Sequence, residues 1–199
     1  MGNLGTLYSN FNQLDKAISI YKKCISIDST RFIHRLNLGT AYRKMKLYSL
    51  SEQEFRTVIA MDSSNNYAWN NLGLLYYSMQ KYDEAERILF KTIAMDTFFA
   101  NPYQIMGLVY FKTSRPKDAA LFFNKALEIN AKNSYAYLGL AYLELEKKDT
   151  TKVIEYIIKA IDSGITFEYL DMDEELKTLK EQMIWKEMMA KYFPGKWKD

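Results

Sequence analysis

The tripeptide Asn-Leu-Gly stands at Asn3-Leu4-Gly5, Asn37-Leu38-Gly39 and Asn71-Leu72-Gly73, so successive glycines are 34 residues apart (39 − 5 and 73 − 39). A further step of 34 lands on Gly107 in Met106-Gly107, and the next on Ala141 in Leu140-Ala141. Three residues beyond each of the first four positions lies a tyrosine: Tyr8, Tyr42, Tyr76 and Tyr110. Self-similarity at a fixed period marks a repeat architecture, and it governs the reading of everything around it.

The second half of each repeat recurs as well. Twelve residues past the glycine position come the compact side chains Ala17, Ser51, Ala85, Ala119 and Val153. Four further on stand the large ones, Tyr21, Phe55, Leu89, Phe123 and Ile157, followed by Cys24, Val58, Thr92, Ala126 and Ala160. An acid or amide closes each of the first four repeats: Asp28, Asp62, Asp96 and Asn130. Trp69, Leu72, Gly73 and Tyr76 share one face at helical spacing, and so do Ala85, Leu89 and Thr92. Each repeat is therefore predicted to be two antiparallel helices. Glycine inside a helix is about 1 kcal/mol worse than alanine, so its regular placement demands a packing reason. Close crossing of the two helices, large residue against small, supplies it. The polar joints Gln80-Lys81-Tyr82-Asp83 and Asp62-Ser63-Ser64-Asn65-Asn66 separate helices and repeats, while Pro116 and Pro102 fall at helix starts.

The 199 residues include only 8 Gly and 3 Pro, too few for long loops or many β-turns, which agrees with an all-α chain. A formal charge of +3 does not imply nucleic-acid binding, and none is expected. Between Asp28 and Glu52 there is no acidic residue, yet Arg31, Arg35, Arg43, Lys44 and Lys46 fall there. That run is either a solvated face or a site for an acidic partner. The single cysteine, Cys24, excludes an internal disulfide and a cysteine-based metal cluster. No apolar run approaches the ~20 residues that span a bilayer. No signal-peptide pattern opens the chain, so a cytoplasmic location is expected. The opening Met-Gly-Asn-Leu-Gly-Thr fits the loose myristoylation pattern but also fits the repeat.

The pattern resembles the tetratricopeptide repeat family, whose signature is an aromatic, Leu-Gly, Tyr, then Ala, an aromatic, Ala and a closing Pro. The resemblance implies a right-handed α-solenoid. Its repeats are expected at 1–30, 31–64, 65–98, 99–132 and 133–163, followed by C-terminal capping helices and tail over 164–199. The closing Pro is replaced by Ser29, Ser63, Thr97 and Ala131, and the fifth repeat carries Ala141 and Glu144 for Gly and Tyr. Met1 is expected within the first helix, so either the array is trimmed from a longer one, the favoured reading, or this helix is frayed. Leu176, Leu179, Trp185 and Met188 form an apolar stripe predicting one or two capping helices, with Asp173-Glu174-Glu175 at a helix N-terminus.

In such a stack the first helices line the concave side. The lining residues, opposite the Leu-Gly-Tyr face, read Asn37, Thr40, Arg43 and Lys44; Asn70, Asn71, Leu74 and Tyr77; Gln104, Leu108, Phe111 and Lys112. The fifth repeat adds Leu138, Tyr142 and Leu145. Amides can pair with both groups of an extended backbone, aromatics offer area at low entropy cost, and Arg43 and Lys44 can meet a carboxylate. Asn3, Asn37 and Asn71 resemble the asparagine ladder of the O-linked N-acetylglucosamine transferase repeat domain, though Asn before Leu-Gly is also common in the family. The chaperone-tail clamp is not matched, because Leu74, Asn101 and Ile105 stand where its basic pair would be. Catalysis finds no support: His34 is the only histidine, and the sequence holds no phosphate loop and no metal-ligand spacing. The expected function is a protein-binding module taking an extended segment in the groove, with no cofactor. The alternative is a scaffold for self-association, or a regulatory domain of a larger enzyme.

Overall fold

A computed structural model of the chain describes residues 2–196. Met1, with its place in the first helix, and positions 197–199 of the tail lie outside the described residues. Among the described residues there are thirteen helices and no strand. Ten of them form five successive hairpins: α1 (Gly2–Asn10) with α2 (Leu14–Ile27), α3 (Phe32–Lys44) with α4 (Tyr48–Met61), α5 (Asn66–Ser78) with α6 (Tyr82–Met95), α7 (Ala100–Lys112) with α8 (Pro116–Ile129), and α9 (Ser134–Glu146) with α10 (Thr150–Asp162). Three short helices follow, α11 (Phe167–Met172), α12 (Lys177–Lys180) and α13 (Met183–Tyr192). The apolar stripe from Leu176 to Met188, expected to give one or two capping helices, is carried by α12 and α13, and α11 precedes it. The chain falls into two compact units, residues 1–105 and 106–199.

The reason for the periodic glycines is visible at each crossing. A Cβ on Gly5, Gly39, Gly73 or Gly107 would sit 2.6, 2.6, 2.7 or 2.5 Å from Tyr21, Phe55, Leu89 or Phe123 of the paired helix. The large residue packs onto bare backbone, and the helices approach as closely as that permits. Ala17, Ala85, Ala119 and Val153 are fully buried beside these contacts. Ser51 takes the same place in the second hairpin, and its hydroxyl donates to the Gly39 carbonyl at 2.7 Å, so its polarity is satisfied inside the core.

Turn chemistry repeats with the same period. Within each hairpin one residue adopts the left-handed conformation: Asn12, Lys46, Gln80, Ser114 and Lys148, at φ between 56° and 62°. The N–H of the following residue reaches back to a carbonyl five residues before it, as in Gln13 N to Tyr8 O (2.8 Å) and Lys81 N to Tyr76 O (2.9 Å). This is a Schellman-like helix end built without glycine. Between hairpins the missing proline is replaced by side-chain turns. Asp28 Oδ1 accepts from the Thr30 N–H, Asp62 Oδ1 from Ser64, Asp96 Oδ1 from Phe98 and Asn130 Oδ1 from Lys132.

In the C-terminal unit the core continues into the last helices. Leu170, Leu176, Leu179, Trp185 and Met189 are completely buried and join Leu138, Ala141, Val153, Ile157 and Ala160 of α9 and α10 in one cluster. The Asp173-Glu174-Glu175 triplet does not open a helix as expected. It forms the turn between α11 and α12, where Asp173 Oδ1 accepts from the Glu175 N–H at 2.9 Å.

Candidate functional site

In the N-terminal unit the first helices are neighbours, α1 beside α3 and α3 beside α5. Asn37, Thr40 and Arg43 of α3 and Asn71, Leu74 and Tyr77 of α5 are half-buried, Lys44 is exposed, and Asn70 is buried. Gln104, on α7, is half-buried too. Partial burial of polar and aromatic side chains together suits the wall of a groove. Thr40 donates its hydroxyl to the Leu36 carbonyl of its own helix (2.9 Å). Arg43 Nη1 donates to Ser78 Oγ at 3.2 Å, which ties the end of α3 to the end of α5. Tyr77 stacks at a tilt on Tyr82, centroids 6.0 Å apart. The Oδ1 of Asn70 has no hydrogen-bond donor, although the residue is only 6% exposed. Such an unmet buried acceptor costs about 1–3 kcal/mol. A cleft of about 800 Å³ between α1, α2 and α3 is lined by Asn3, Thr6, Arg31, His34 and Asn37, so two asparagines of the 34-residue series meet there.

The basic run reads differently once its partners are known. Arg31 pairs with Asp28 at 3.2 Å, and Arg35 with Glu54 at 2.9 Å, the latter largely out of solvent. The Arg35 charge is structural, whereas the Arg31 pair stays at the surface. Lys44 differs: desolvation first, and then the adjacent Arg43 charge, hold it below the ordinary lysine value.

The C-terminal unit presents the same face in another state. Leu108, Phe111 and Leu145 pack against the buried cluster that contains Leu176, Leu179 and Trp185. Lys112 Nζ is paired with Glu175, and the Tyr142 hydroxyl donates to Asp173 Oδ2. Phe111 lies against Tyr142 with centroids 5.7 Å apart. Leu138 and Tyr142 are 1% and 6% exposed. The expectation of an open surface at Leu108, Phe111 and Lys112, and at Leu138, Tyr142 and Leu145 beyond them, is therefore not met. The chain's own C-terminal segment fills it. Burial raises the Asp173 carboxyl above the usual range, against the lowering effect of the Tyr142 hydrogen bond, and raises the Tyr142 hydroxyl as well. A carboxyl that holds its proton more tightly when folded adds stability below its unfolded pKa and loses it as pH rises through the raised value. Asp173→Asn, which cannot ionise, is therefore expected to gain stability relative to the parent as pH rises through the carboxyl range, measured by denaturant titration at each pH.

Sequence reasoning missed Ser78, Asp173 and Glu175. Ser78 falls outside the periodic face, and Glu175 meets Lys112 across 63 residues of chain, a pairing that no local pattern encodes. Among the described residues, no group of three or more His, Cys, Asp or Glu could hold a metal ion. No described helix is long and apolar enough to cross a membrane.

Models of the tetratricopeptide repeat match residues 1–31 and 100–133, and a second such model matches 36–103. The chain belongs to the tetratricopeptide repeat family, a class of protein–protein interaction modules. No curated protein matches it. Among solved structures it is similar to a thermophilic repeat protein of Thermus thermophilus, with a TM-score of 0.77 and 15% identity over 89% of this chain and 96% of that one. A repeat protein of Parabacteroides merdae gives 0.79 and 20% identity, over 88% and 68%. YrrB, described as having an unusual peptide-binding site, gives 0.51 and 19% identity, over 89% of each chain. At these identities the likeness is one of fold.

Proposed function

We propose that this chain is a binding module without catalysis of its own, which holds an extended segment of a partner protein on the first-helix face of its N-terminal unit. Asn37, Thr40, Arg43 and Lys44 of α3 form one side. Asn70, Asn71, Leu74 and Tyr77 of α5, with Gln104 of α7, form the other. The observation that carries this reading is the filled face of the C-terminal unit, where the corresponding surface already packs a polypeptide segment against Leu108, Phe111 and Tyr142. A face that accepts chain in one unit supports the same use for the equivalent helices of the other. The peptide site described for YrrB lies on the same fold. Affinity near micromolar, about −8 kcal/mol, is expected for such a surface.

The test is a displayed library of random dodecapeptides panned on the immobilised protein. Enriched segments should lose at least about tenfold in affinity, roughly 1.4 kcal/mol, when Asn71 and Tyr77 are both changed to Ala, with circular dichroism unchanged. Affinity untouched by that double change would move the site off this face.

A further inference from the structure

We infer that the face formed by α3 and α5 selects an acidic segment, with Lys44 and Arg43 receiving its carboxylates as Lys112 receives Glu175. This rests on the peptide-binding reading above and gives the partner its chemistry. Lys44 and Lys112 are two periods apart (112 − 44 = 68, twice 34), and each is the last residue of a first helix. Equal register on equivalent helices sends both side chains off the same face. In the C-terminal unit the lysine at this place is engaged by Glu175 of the segment lying on that face, and Asp173, two residues earlier, takes the Tyr142 hydroxyl. The same chain thus carries a worked case of what a lysine at this position binds.

The same shift of 68 compares the two faces residue by residue. Leu108, Phe111 and Leu138 of the filled face correspond to Thr40, Arg43 and Asn70, while Tyr142 and Leu145 correspond to Leu74 and Tyr77. The N-terminal face therefore keeps two sizeable apolar contacts and replaces three others with a hydroxyl, a guanidinium and an amide. Its ligand should be more charged than the resident tail. The charge balance agrees: residues 29–51 hold no acid, Arg31 and Arg35 already have carboxylate partners, and Lys44 stands next to the like charge of Arg43 in the sequence. A carboxylate placed between two adjacent cations relieves that repulsion and makes charge-assisted hydrogen bonds. Complementing the α3 dipole does not by itself account for the pair, since Lys112 ends α7 in the same way and still takes a carboxylate. The expected ligand pattern follows Asp173-Glu174-Glu175-Leu176: acids two residues apart, then a leucine for the Leu74 and Tyr77 contacts.

The probe is a fluorescent peptide with the sequence of residues 170–180, titrated into the full chain by anisotropy. Lys44→Glu should weaken binding about tenfold or more, and so should the peptide neutralised at its positions 173, 174 and 175 to Asn, Gln and Gln. Lys112→Gln, on the face already filled, should leave the affinity unchanged. No binding of the acidic peptide, or equal binding by Lys44→Glu, overturns the inference. If the neutral peptide binds as tightly, and that binding is lost in Asn71→Ala/Tyr77→Ala, selection for acid fails while the face stands. If that double variant binds either peptide undiminished, the face itself is wrong.

Discussion

Trp185→Ala is expected to destabilise the C-terminal unit by about 3–5 kcal/mol, the range for emptying a buried tryptophan site. The indole is completely buried and sits in the cluster that joins Leu170, Leu176, Leu179 and Met189 to Leu138, Ile157 and Ala160. Its removal takes away the largest side chain by which α13 is fixed, and α13 packs on α10. The turn carrying Asp173 and Glu175 depends on the same cluster, because Leu176 is buried one residue beyond it. The loss should therefore appear twice. Denaturant unfolding followed by circular dichroism should show an early phase, as repeat arrays need not unfold in one step. Amide exchange should quicken in residues 167–192 before it does elsewhere. Met183→Ala, at a side chain 75% exposed, should stay within about 0.5 kcal/mol of the parent. A Trp185→Ala protein as stable as its parent would mean that the tail merely rests on the unit.

The second large effect concerns Phe123, whose ring is clasped between two glycines. A Cβ at Gly107 would lie 2.5 Å from the ring, and one at Gly139 would lie 2.2 Å from its Cζ. Phe123→Ala should cost about 3–5 kcal/mol, because a fully buried ring leaves a cavity between two helices that cannot close over it. Gly139→Ala alone should cost about 1–3 kcal/mol by overpacking, despite alanine's better helix propensity. In the Phe123→Ala background the sign should reverse, since the added methyl then enters empty space and keeps the propensity gain. Equilibrium unfolding of the four proteins forms a double-mutant cycle. Additive losses would show that Gly139 is not there for the ring.

That pair also shows where the sequence was transparent and where it was not. The interval of 34 places Gly5, Gly39, Gly73 and Gly107 opposite their large partners, so hairpins and their core follow from spacing alone. The fifth repeat, with Ala141 at the glycine position, looks like a weakened copy. In fact Gly139, two residues earlier, makes the close approach to Phe123 of the preceding hairpin. Spacing within one repeat cannot reveal contacts with the next. The left-handed turn residues were hidden for another reason: Asn12, Lys46, Gln80, Ser114 and Lys148 share a conformation but are of four residue types, none of them glycine. The missing prolines looked like defects, yet Asp28, Asp62, Asp96 and Asn130, legible as a periodic polar residue, make the turn instead.

The candidate face was legible as a set of positions at helical spacing, but its state was not. Leu108, Phe111 and Lys112 have the same periodic credentials as Leu74, Tyr77 and Lys44. What separates the two faces is a segment folding back from far along the chain, and the Leu176, Leu179 and Trp185 stripe only says that something must be covered. The basic run between Asp28 and Glu52 was similarly ambiguous until the ion pair to Glu54 took Arg35 out of it, Arg31 keeping an exposed pair with Asp28.

Titration of the isotopically labelled full chain with a library-enriched segment, followed by amide chemical shifts, tests the division between an open and a filled face most directly. The shifts should concentrate at Asn37, Thr40, Arg43, Lys44, Asn71 and Tyr77, while α9 and the residues around Asp173 stay as they were. Shifts centred on Leu108, Lys112 and Tyr142, with the resonances of residues 173–193 moving as the tail is expelled, would contradict it.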